Sequence, residues 1–245
     1  MTRAQPAASS SATSSSTATS PKGVVKLPRS QRLARPGTVI ILAPNHTGVG
    51  IPGRASLWDR GSFTTPLGEV AVEEEVADEL AAGCALVIPD RTAHRREHAI
   101  EVELPFLQLL APGARIVPLV LSWDDWASCA ELGRALAGLA ETRPGRILLV
   151  ASSDMTHYEP AEWAARKDRL ALERVERLDG EWLLTTCHRH SISMCGRAPA
   201  ATVIEAARRL GALKGTVVDY RHSGLVTGDD RQVVSYAGVL FEDGV

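Results

Sequence analysis

Four short segments of the chain place histidine, carboxylate or cysteine side chains at the ends of apolar runs. They lie at residues 44–48, 96–101, 152–158 and 193–196. In an open α/β sheet, ligands bind at the carboxyl ends of strands, so residues far apart in sequence can meet there. Histidine, cysteine and aspartate in one pocket are typical of a transition-metal site or an acid–base site. The four segments therefore predict such a centre.

Asp154 and His157 directly follow residues 146–151, the apolar run most typical of a buried strand. A carboxylate three residues before a histidine can orient the imidazole through one ring nitrogen. The other nitrogen is then free to bind a metal or to move a proton. Alternatively, Asp154 caps the next helix, since Ser152, Ser153 and Asp154 are all favourable capping residues. Capping does not account for His157, and we predict catalytic roles for Asp154 and His157.

Four further candidate residues lie next to predicted strand or helix ends. His46 closely follows the apolar run 38–42 and has polar, flexible neighbours, which favours a positioned side chain over an ordinary loop histidine. Glu97 and His98 lie at a predicted helix start, where the helix dipole favours an acid; the alternative is simple capping with His98 exposed. Cys195 precedes another predicted helix, whose N-terminus lowers a thiol pKa. The alternative for Cys195 is a buried structural cysteine.

The other cysteines and histidines have simpler interpretations. Three cysteines match the buried structural type: Cys84, Cys129 and Cys187. Their scattered spacing is that of neither a disulfide framework nor a structural zinc site, and it favours a reducing, cytoplasmic setting. His94, among arginines, is predicted to lie at the surface, and His188 and His190 are predicted on a solvated face.

Apolar periodicity predicts an alternation of strands and helices. The predicted strands are 38–42, 84–88, 115–121, 146–151, 216–220 and 233–241, and the predicted helices are 72–82, 98–110, 129–140, 162–178 and 198–210. Pro118 favours an edge or irregular position for its strand, and Pro105 is expected to kink or shorten its helix. Residues 45–68 are predicted as a long loop. The alternation predicts a layered α/β domain with a mixed, largely buried sheet flanked by helices.

Composition limits the classes of partner. The 245 residues are 44% hydrophobic, enough for one domain with a substantial core. A net charge of −2 without a basic stripe argues against a nucleic-acid partner. No run approaches the roughly 20 apolar residues that span a bilayer, so no membrane segment is expected. Residues 7–20 are entirely Ala, Ser and Thr, which predicts a disordered tail over 1–36 and a single domain over 37–245.

At the four segments the chain resembles the Memo family, protein B of the AmmeMemoRadiSam system. The specific pieces are APNHTG at 43–48, EHAIEVELPFL at 97–107, SSDMTHY at 152–158 and ISMCG at 192–196. Weaker pieces lie at 65–68 and 234–237, and the resemblance covers about residues 37–242. Four motifs in the same order make a specific match.

The resemblance implies a fold like that of the class III extradiol dioxygenases, which use non-haem iron(II). It implies that His46 and Cys195 bind the metal, iron or copper, with Asp154 and His157 beside them and His98 close by. It also implies a radical SAM protein and AmmeMemoRadiSam system protein A as partners, and a small-molecule substrate.

The chain departs from the family pattern at its start. Family members carry an earlier strand that ends in Pro-His-Ala-Gly-Tyr, whose histidine is a further ligand. No such segment precedes Thr38. Either the chain has lost a ligand and a strand, so that the family's first strand and helix are missing and metal affinity is reduced, or its start was mis-assigned or frameshifted. His157 could then complete a set of ligands with His46 and Cys195.

Three functions follow from these residues. The first is a metal-binding protein with redox or dioxygenase-like activity, in which His46 and Cys195 hold the metal. His157, oriented by Asp154, then acts as an acid–base group or a further ligand. The second is a non-catalytic binding or scaffold protein that retains a small-ligand pocket, which the missing strand favours. The third, a metal-free hydrolase, lacks a nucleophile, because Ser153 is not in a G-x-S-x-G elbow.

Overall fold

The computed structural model describes residues 36–144 and 146–243, so the predicted tail, apart from Pro36, lies outside the described residues. The strands are β1 (Thr38–Pro44), β2 (Ala55–Leu57), β3 (Ser62–Thr65), β4 (Gly68–Ala71), β5 (Val87–Pro89), β6 (Arg115–Leu121), β7 (Ile147–Ala151), β8 (His157–Glu159), β9 (Ala212–His222) and β10 (Val233–Asp243). The helices are α1 (Glu74–Gly83), α2 (Leu104–Leu110), α3 (Trp126–Glu141), α4 (Ala161–Glu176), α5 (Gly180–Arg189), α6 (Arg197–Arg209) and α7 (Gly224–Thr227).

The central sheet has five strands in the order β5–β2–β6–β1–β7. β1 pairs in parallel with β6 and with β7, whereas β2 runs antiparallel to β6. All seven residues of β1 are buried, as its continuous β-branched run predicts for a strand covered on both faces. The predicted mixed α/β sheet is confirmed.

Helices and turns cover both faces of this sheet. Ile40 and Leu42 face a core shared with α1, α3 and α6, while Val39 and Ile41 face a second core shared with residues 99–104. The alternation of side chains along a strand explains this division. A separate antiparallel sheet, in the order β8–β10–β9, packs with α4 and α5 around a third core.

The edge position predicted from Pro118 is wrong, because β6 lies between β1 and β2. The pairing of β2 with β6 ends at Leu57 opposite Leu119, one residue before it would reach Pro118. The Pro118 carbonyl accepts from Trp58 N–H on this same side, at 3.2 Å. A strand residue directs its N–H and C=O to one side, so the missing N–H costs no ladder hydrogen bond.

Other boundaries also differ from the predictions. The predicted loop 45–68 contains β2 and β3, which are only three and four residues long and too polar to show an apolar pattern. β7 lies at one end of the five-strand order and is only partly buried, with Leu148 45% exposed. Pro105 lies in the first turn of α2, where its missing N–H is harmless, so it begins the helix rather than kinking it.

Within residues 36–144 and 146–243, no helix has both the length and the apolar character needed to cross a bilayer. The described residues belong to one compact unit.

Candidate metal centre

Asp154, His157 and Cys195 lie together between the end of β7 and the start of α6. One ligand atom of each residue lies within 4.8 Å of those of the other two. His157 Nε2 is 3.6 Å from Asp154 Oδ2, and the Asp154 backbone N–H donates to Cys195 Sγ at 3.1 Å. The segments 152–158 and 193–196 therefore meet, as their residue types predict.

The His157 ring is held by a backbone carbonyl. Its Nδ1 lies 2.8 Å from the Ser193 carbonyl oxygen, and its backbone N–H donates to Ser193 Oγ at 2.8 Å. A carbonyl oxygen only accepts, so Nδ1 carries a proton, and in the neutral ring Nε2 keeps a lone pair on the side of Asp154. The Ser193 carbonyl therefore orients this ring in addition to the contact between His157 Nε2 and Asp154.

Gly196 allows Cys195 to approach Asp154. It is the residue before α6, and its N–H donates to Ser153 Oγ at 2.9 Å. A Cβ atom at position 196 would overlap the Ser152 carbonyl oxygen and lie 2.8 Å from Ser153 Cα. The start of α6 and the end of β7 therefore pack too closely for any side chain at this position.

The pKa of Cys195 is raised, not lowered as the helix-start argument predicts. Burial is the largest cause, and it outweighs the hydrogen bonds from the Asp154 and Gly196 backbones and from Ser153, which favour the thiolate. The free protein therefore holds Cys195 mainly as a neutral thiol at neutral pH. A bound cation would provide the positive charge that a buried thiolate needs.

His46, Glu97 and His98 form a second group. Glu97 Oε1 lies 2.8 Å from His46 Nδ1, and Glu97 Oε2 accepts from the His46 backbone N–H at 2.6 Å. The His98 ring stacks on His46 with centroids 4.9 Å apart, and its side chain is 63% exposed. The carboxylate is almost completely buried, at 1% exposure.

The Glu97 pKa is lowered despite this burial. Desolvation is the largest effect and raises the pKa, but hydrogen bonds from the His46 ring and backbone and from Ala99 N–H together outweigh it. The side chain is therefore an ionised, fully hydrogen-bonded carboxylate at neutral pH.

The two groups stand at the same edge of the central sheet. β1 and β7, which precede His46 and Asp154, are paired parallel neighbours. Ser152 links the two loops, since its N–H donates to Leu42 O and its Oγ to Ala99 O, both at 2.9 Å. Among the described residues, His46 groups with Glu97 and His98, not with the Cys195 group.

A cavity of about 480 Å³ adjoins Cys195. It is bounded by the loop after β1, the loop after β6 and the start of α6, including Asn45, Ser122, Trp123, Cys195 and Arg197. Apolar walls with a few polar groups are typical of small-ligand pockets. The arrangement can thus place a small molecule beside the Cys195 group.

Residue types alone missed two participants. The orienting atom at His157 is the backbone carbonyl of Ser193, which no side-chain pattern encodes. From sequence, Glu97 was interpreted by its place at a predicted helix start. It does accept from Ala99 N–H at 3.1 Å, but it also accepts from the His46 ring. A carboxylate beside an apolar helix start was the one available signal.

The predictions for the other cysteines are confirmed, and the prediction for His94 is wrong. Three cysteines are buried, as predicted: Cys84, Cys129 and Cys187. The surface prediction for His94 is wrong, because His94 is buried with Nε2 2.8 Å from the Ser56 carbonyl oxygen. Burial lowers its pKa, so it is a neutral core histidine.

The donor set of the first group fits a transition metal. A cysteine sulfur, an imidazole nitrogen with a free lone pair and a carboxylate oxygen together suit copper, zinc or iron better than magnesium or calcium. The hydrogen bond from His157 Nδ1 to a carbonyl is the outer contact that metal-binding histidines characteristically make.

Comparisons with known proteins agree on one family. The family described as Memo-like protein matches residues 14–240. A MEMO1 family protein of Methanopyrus kandleri is 41% identical over 210 residues, which cover 85% of this chain and 74% of the relative. Another from Aeropyrum pernix is 43% identical over 206 residues, covering 84% and 72%. A third, from Aquifex aeolicus, is 40% identical over 212 residues, covering 86% and 78%.

Proposed function

The chain belongs to the Memo family, and on that premise we propose that it binds iron or copper and performs redox or dioxygenase-like chemistry. One observation carries the proposal: the donor atoms of Asp154, His157 and Cys195 lie within 4.8 Å of one another. His157 and Cys195 are the proposed ligands, with Asp154 as the neighbouring oxygen donor. His46, with its Nε2 left free by Glu97, is the proposed further ligand.

The protein groups around the metal have separate tasks in this proposal. Bound iron or copper supplies electron transfer and activation of small molecules. The cavity beside Cys195 holds the small-molecule substrate. Asp154, whose side chain is 46% exposed, moves protons at the centre, and His157 takes this acid–base role only where its Nε2 does not bind the metal. The exposed His98 exchanges protons with water at the mouth of the site.

The fold supports a dioxygenase-like assignment only in outline. The mixed sheet flanked by helices is compatible with an extradiol-dioxygenase-like architecture, which we propose from the family resemblance. All four cysteines are free thiols, which supports the proposed cytoplasmic setting.

The metal proposal is tested by the metal content of purified protein. We expect iron or copper bound in a ratio near one per chain. The Cys195→Ala variant should bind it more than about 100-fold more weakly, because loss of an outer-shell contact alone costs roughly 10–100-fold in affinity. The matched control is Cys187→Ala, which removes a buried thiol outside the group. A parent protein that binds no iron, copper or zinc at saturating supply would contradict the proposal.

A non-catalytic scaffold is the second candidate, and one surface favours it. Helix α2 exposes three large apolar side chains: Phe106 at 67%, Leu109 at 72% and Leu110 at 70%. Clustered exposed apolar groups mark protein interaction sites. We propose a radical SAM protein and AmmeMemoRadiSam system protein A as the partners, on the strength of the family resemblance.

A further inference from the structure

Glu97 is the most completely hydrogen-bonded carboxylate near the candidate centre. Its Oε2 accepts from the His46 backbone N–H at 2.6 Å. Its Oε1 accepts from His46 Nδ1 at 2.8 Å, His98 N–H at 2.9 Å and Ala99 N–H at 3.1 Å. The side chain is 1% exposed, so these contacts replace water.

These contacts argue against Glu97 as a metal ligand, although it lies within ligand distance of His46 and His98. Four N–H groups already occupy its two oxygens, and moving the carboxylate onto a cation would leave buried donors without an acceptor. The group is better explained as a support for one of the histidines.

The supported histidine is His46. An ionised carboxylate only accepts, so His46 Nδ1 must carry a proton, and Nε2 of the neutral ring is then a bare acceptor. The backbone contact at Oε2 fixes the main chain of the same residue, so one carboxylate sets both the position and the ring orientation of His46. His98 stacks on the ring and limits its rotation.

We propose that Glu97 is a positioning residue that holds His46 as the Nδ1–H tautomer and so presents Nε2 as the reactive nitrogen. The tautomer does not depend on a bound metal. Only the use of Nε2 as a ligand rests on the proposed function, so the two ideas can fail separately.

The test is the nitrogen-15 NMR signature of the imidazoles in metal-free, full-length protein. Spectra are recorded at about pH 8, above the ordinary pKa of histidine, and the pH is raised until the His46 ring is neutral. The His46 signals are assigned by their loss in His46→Gln. We expect a protonated Nδ1 and an unprotonated Nε2 in the parent. A parent with Nε2–H and a bare Nδ1 would overturn the proposal before any Glu97 variant is made.

Two variants separate positioning from folding. In Glu97→Ala the ring loses its acceptor, and the signals should change to those of a mixture of tautomers. In Glu97→Gln an amide oxygen in the Oε1 place still accepts from Nδ1, so the parent tautomer signature should return, although the amide NH2 in the Oε2 place no longer accepts from the His46 backbone N–H. The control is Glu103→Gln, a half-buried carboxyl in the same segment that accepts from Ser152 and, within residues 36–144 and 146–243, forms no hydrogen bond or ion pair with a histidine.

The variants give clear outcomes. Loss of the parent His46 signature in Glu97→Ala, together with its return in Glu97→Gln, supports the proposal. An unchanged signature in Glu97→Ala overturns it. Loss in both variants overturns it as well, because the effect then comes from a disturbed loop rather than from a missing acceptor. Metal content measured on the same variants reports on the proposed function alone.

Discussion

Two histidines near the candidate centre are held by different kinds of acceptor. His157 donates from Nδ1 to a neutral carbonyl, whereas His46 donates from Nδ1 to an ionised carboxylate. Both arrangements leave Nε2 without a proton in the neutral ring, but a carboxylate partner makes the imidazole the stronger metal ligand. The two rings are therefore not equivalent, and His46 is expected to bind a cation more strongly than His157.

Asp168 is a fully buried acidic side chain that stabilises the antiparallel sheet β8–β10–β9. Its oxygens accept from the Thr156 backbone and hydroxyl at 3.0 and 2.7 Å, from the Tyr220 hydroxyl at 2.7 Å, and from Ser235 Oγ. Burial, followed by the hydrogen bond to Asp168, raises the pKa of Tyr220.

The raised pKa of Tyr220 predicts an alkaline loss of stability. The stabilising effect of the neutral hydroxyl is complete below the unfolded-state pKa of about 10 and is lost as pH rises through the higher folded-state pKa. Tyr220→Phe should cost about 1–3 kcal/mol at neutral pH and should reduce the alkaline decline, to which Cys129 and Cys187 also contribute because burial raises the pKa of their thiols. The measurement is urea unfolding between about pH 7 and 11.

The control for Tyr220 is Tyr158→Phe, because Tyr158 is 73% exposed. It should change the free energy of unfolding by less than about 0.5 kcal/mol. If Tyr220→Phe kept the full alkaline decline, the hydroxyl would not be its source.

At the scale of elements, helix α2 combines one anchored side with one exposed side. Leu104 is completely buried in the core that also contains Ile100, whereas Leu109 is 72% exposed. A short helix of seven residues has little intrinsic stability, so packing must hold it in place.

Two leucines of α2 give a matched prediction. Leu104→Ala should lower the free energy of unfolding by about 2–5 kcal/mol, because it leaves a cavity in the core. Leu109→Ala should change it by less than about 0.5 kcal/mol. Denaturant unfolding of both variants measures the difference, and equal effects would contradict the assigned burial.

Most long elements were predictable from sequence, but the ten-residue helix α5 was not, and of the shortest strands only β5 was. The run at 38–42 and the helix 129–140 have enough apolar repeats to indicate β1 and α3 within a few residues. β2, a strand of three residues, carries no periodic signal and forms because β6 offers it hydrogen bonds. The prediction from Pro118 was wrong for a related reason. The free-energy cost of a proline in a strand depends on where the neighbouring strand ends, and local sequence does not encode that position.

The candidate site was predictable to a similar degree. The residues that carry chemistry, including Asp154, His157 and Cys195, could be chosen by type and position, and the structure brings these three together. Their hydrogen-bond partners could not be chosen in this way. The Ser193 carbonyl is a backbone atom, and the contact between Glu97 and His46 joins residues 51 positions apart.

At the scale of the whole molecule, the candidate centre and the exposed apolar surface belong to different parts of the chain. The candidate centre uses the loops after β1 and β7, and the exposed apolar surface uses Phe106, Leu109 and Leu110 of α2. Binding of a partner and binding of a metal can therefore be separated by mutation.

This separation predicts how the proposed complex with a radical SAM protein should respond to mutation. In a pull-down assay, Phe106→Glu should weaken capture at least tenfold, because it places a charge in an apolar contact. His46→Ala should leave capture unchanged if the protein acts as a scaffold. Capture that fails with the parent protein would contradict the partnership, and capture lost only in His46→Ala would contradict the scaffold function.

Gly196 has a consequence for how such chains are recognised. It carries no chemistry, yet a side chain at this position would collide with the end of β7 and move Cys195 away from Asp154. A related sequence could therefore keep every candidate ligand and still be unable to assemble the centre. When genomes are searched for proteins with this centre, a glycine after the cysteine is as informative a criterion as the cysteine itself.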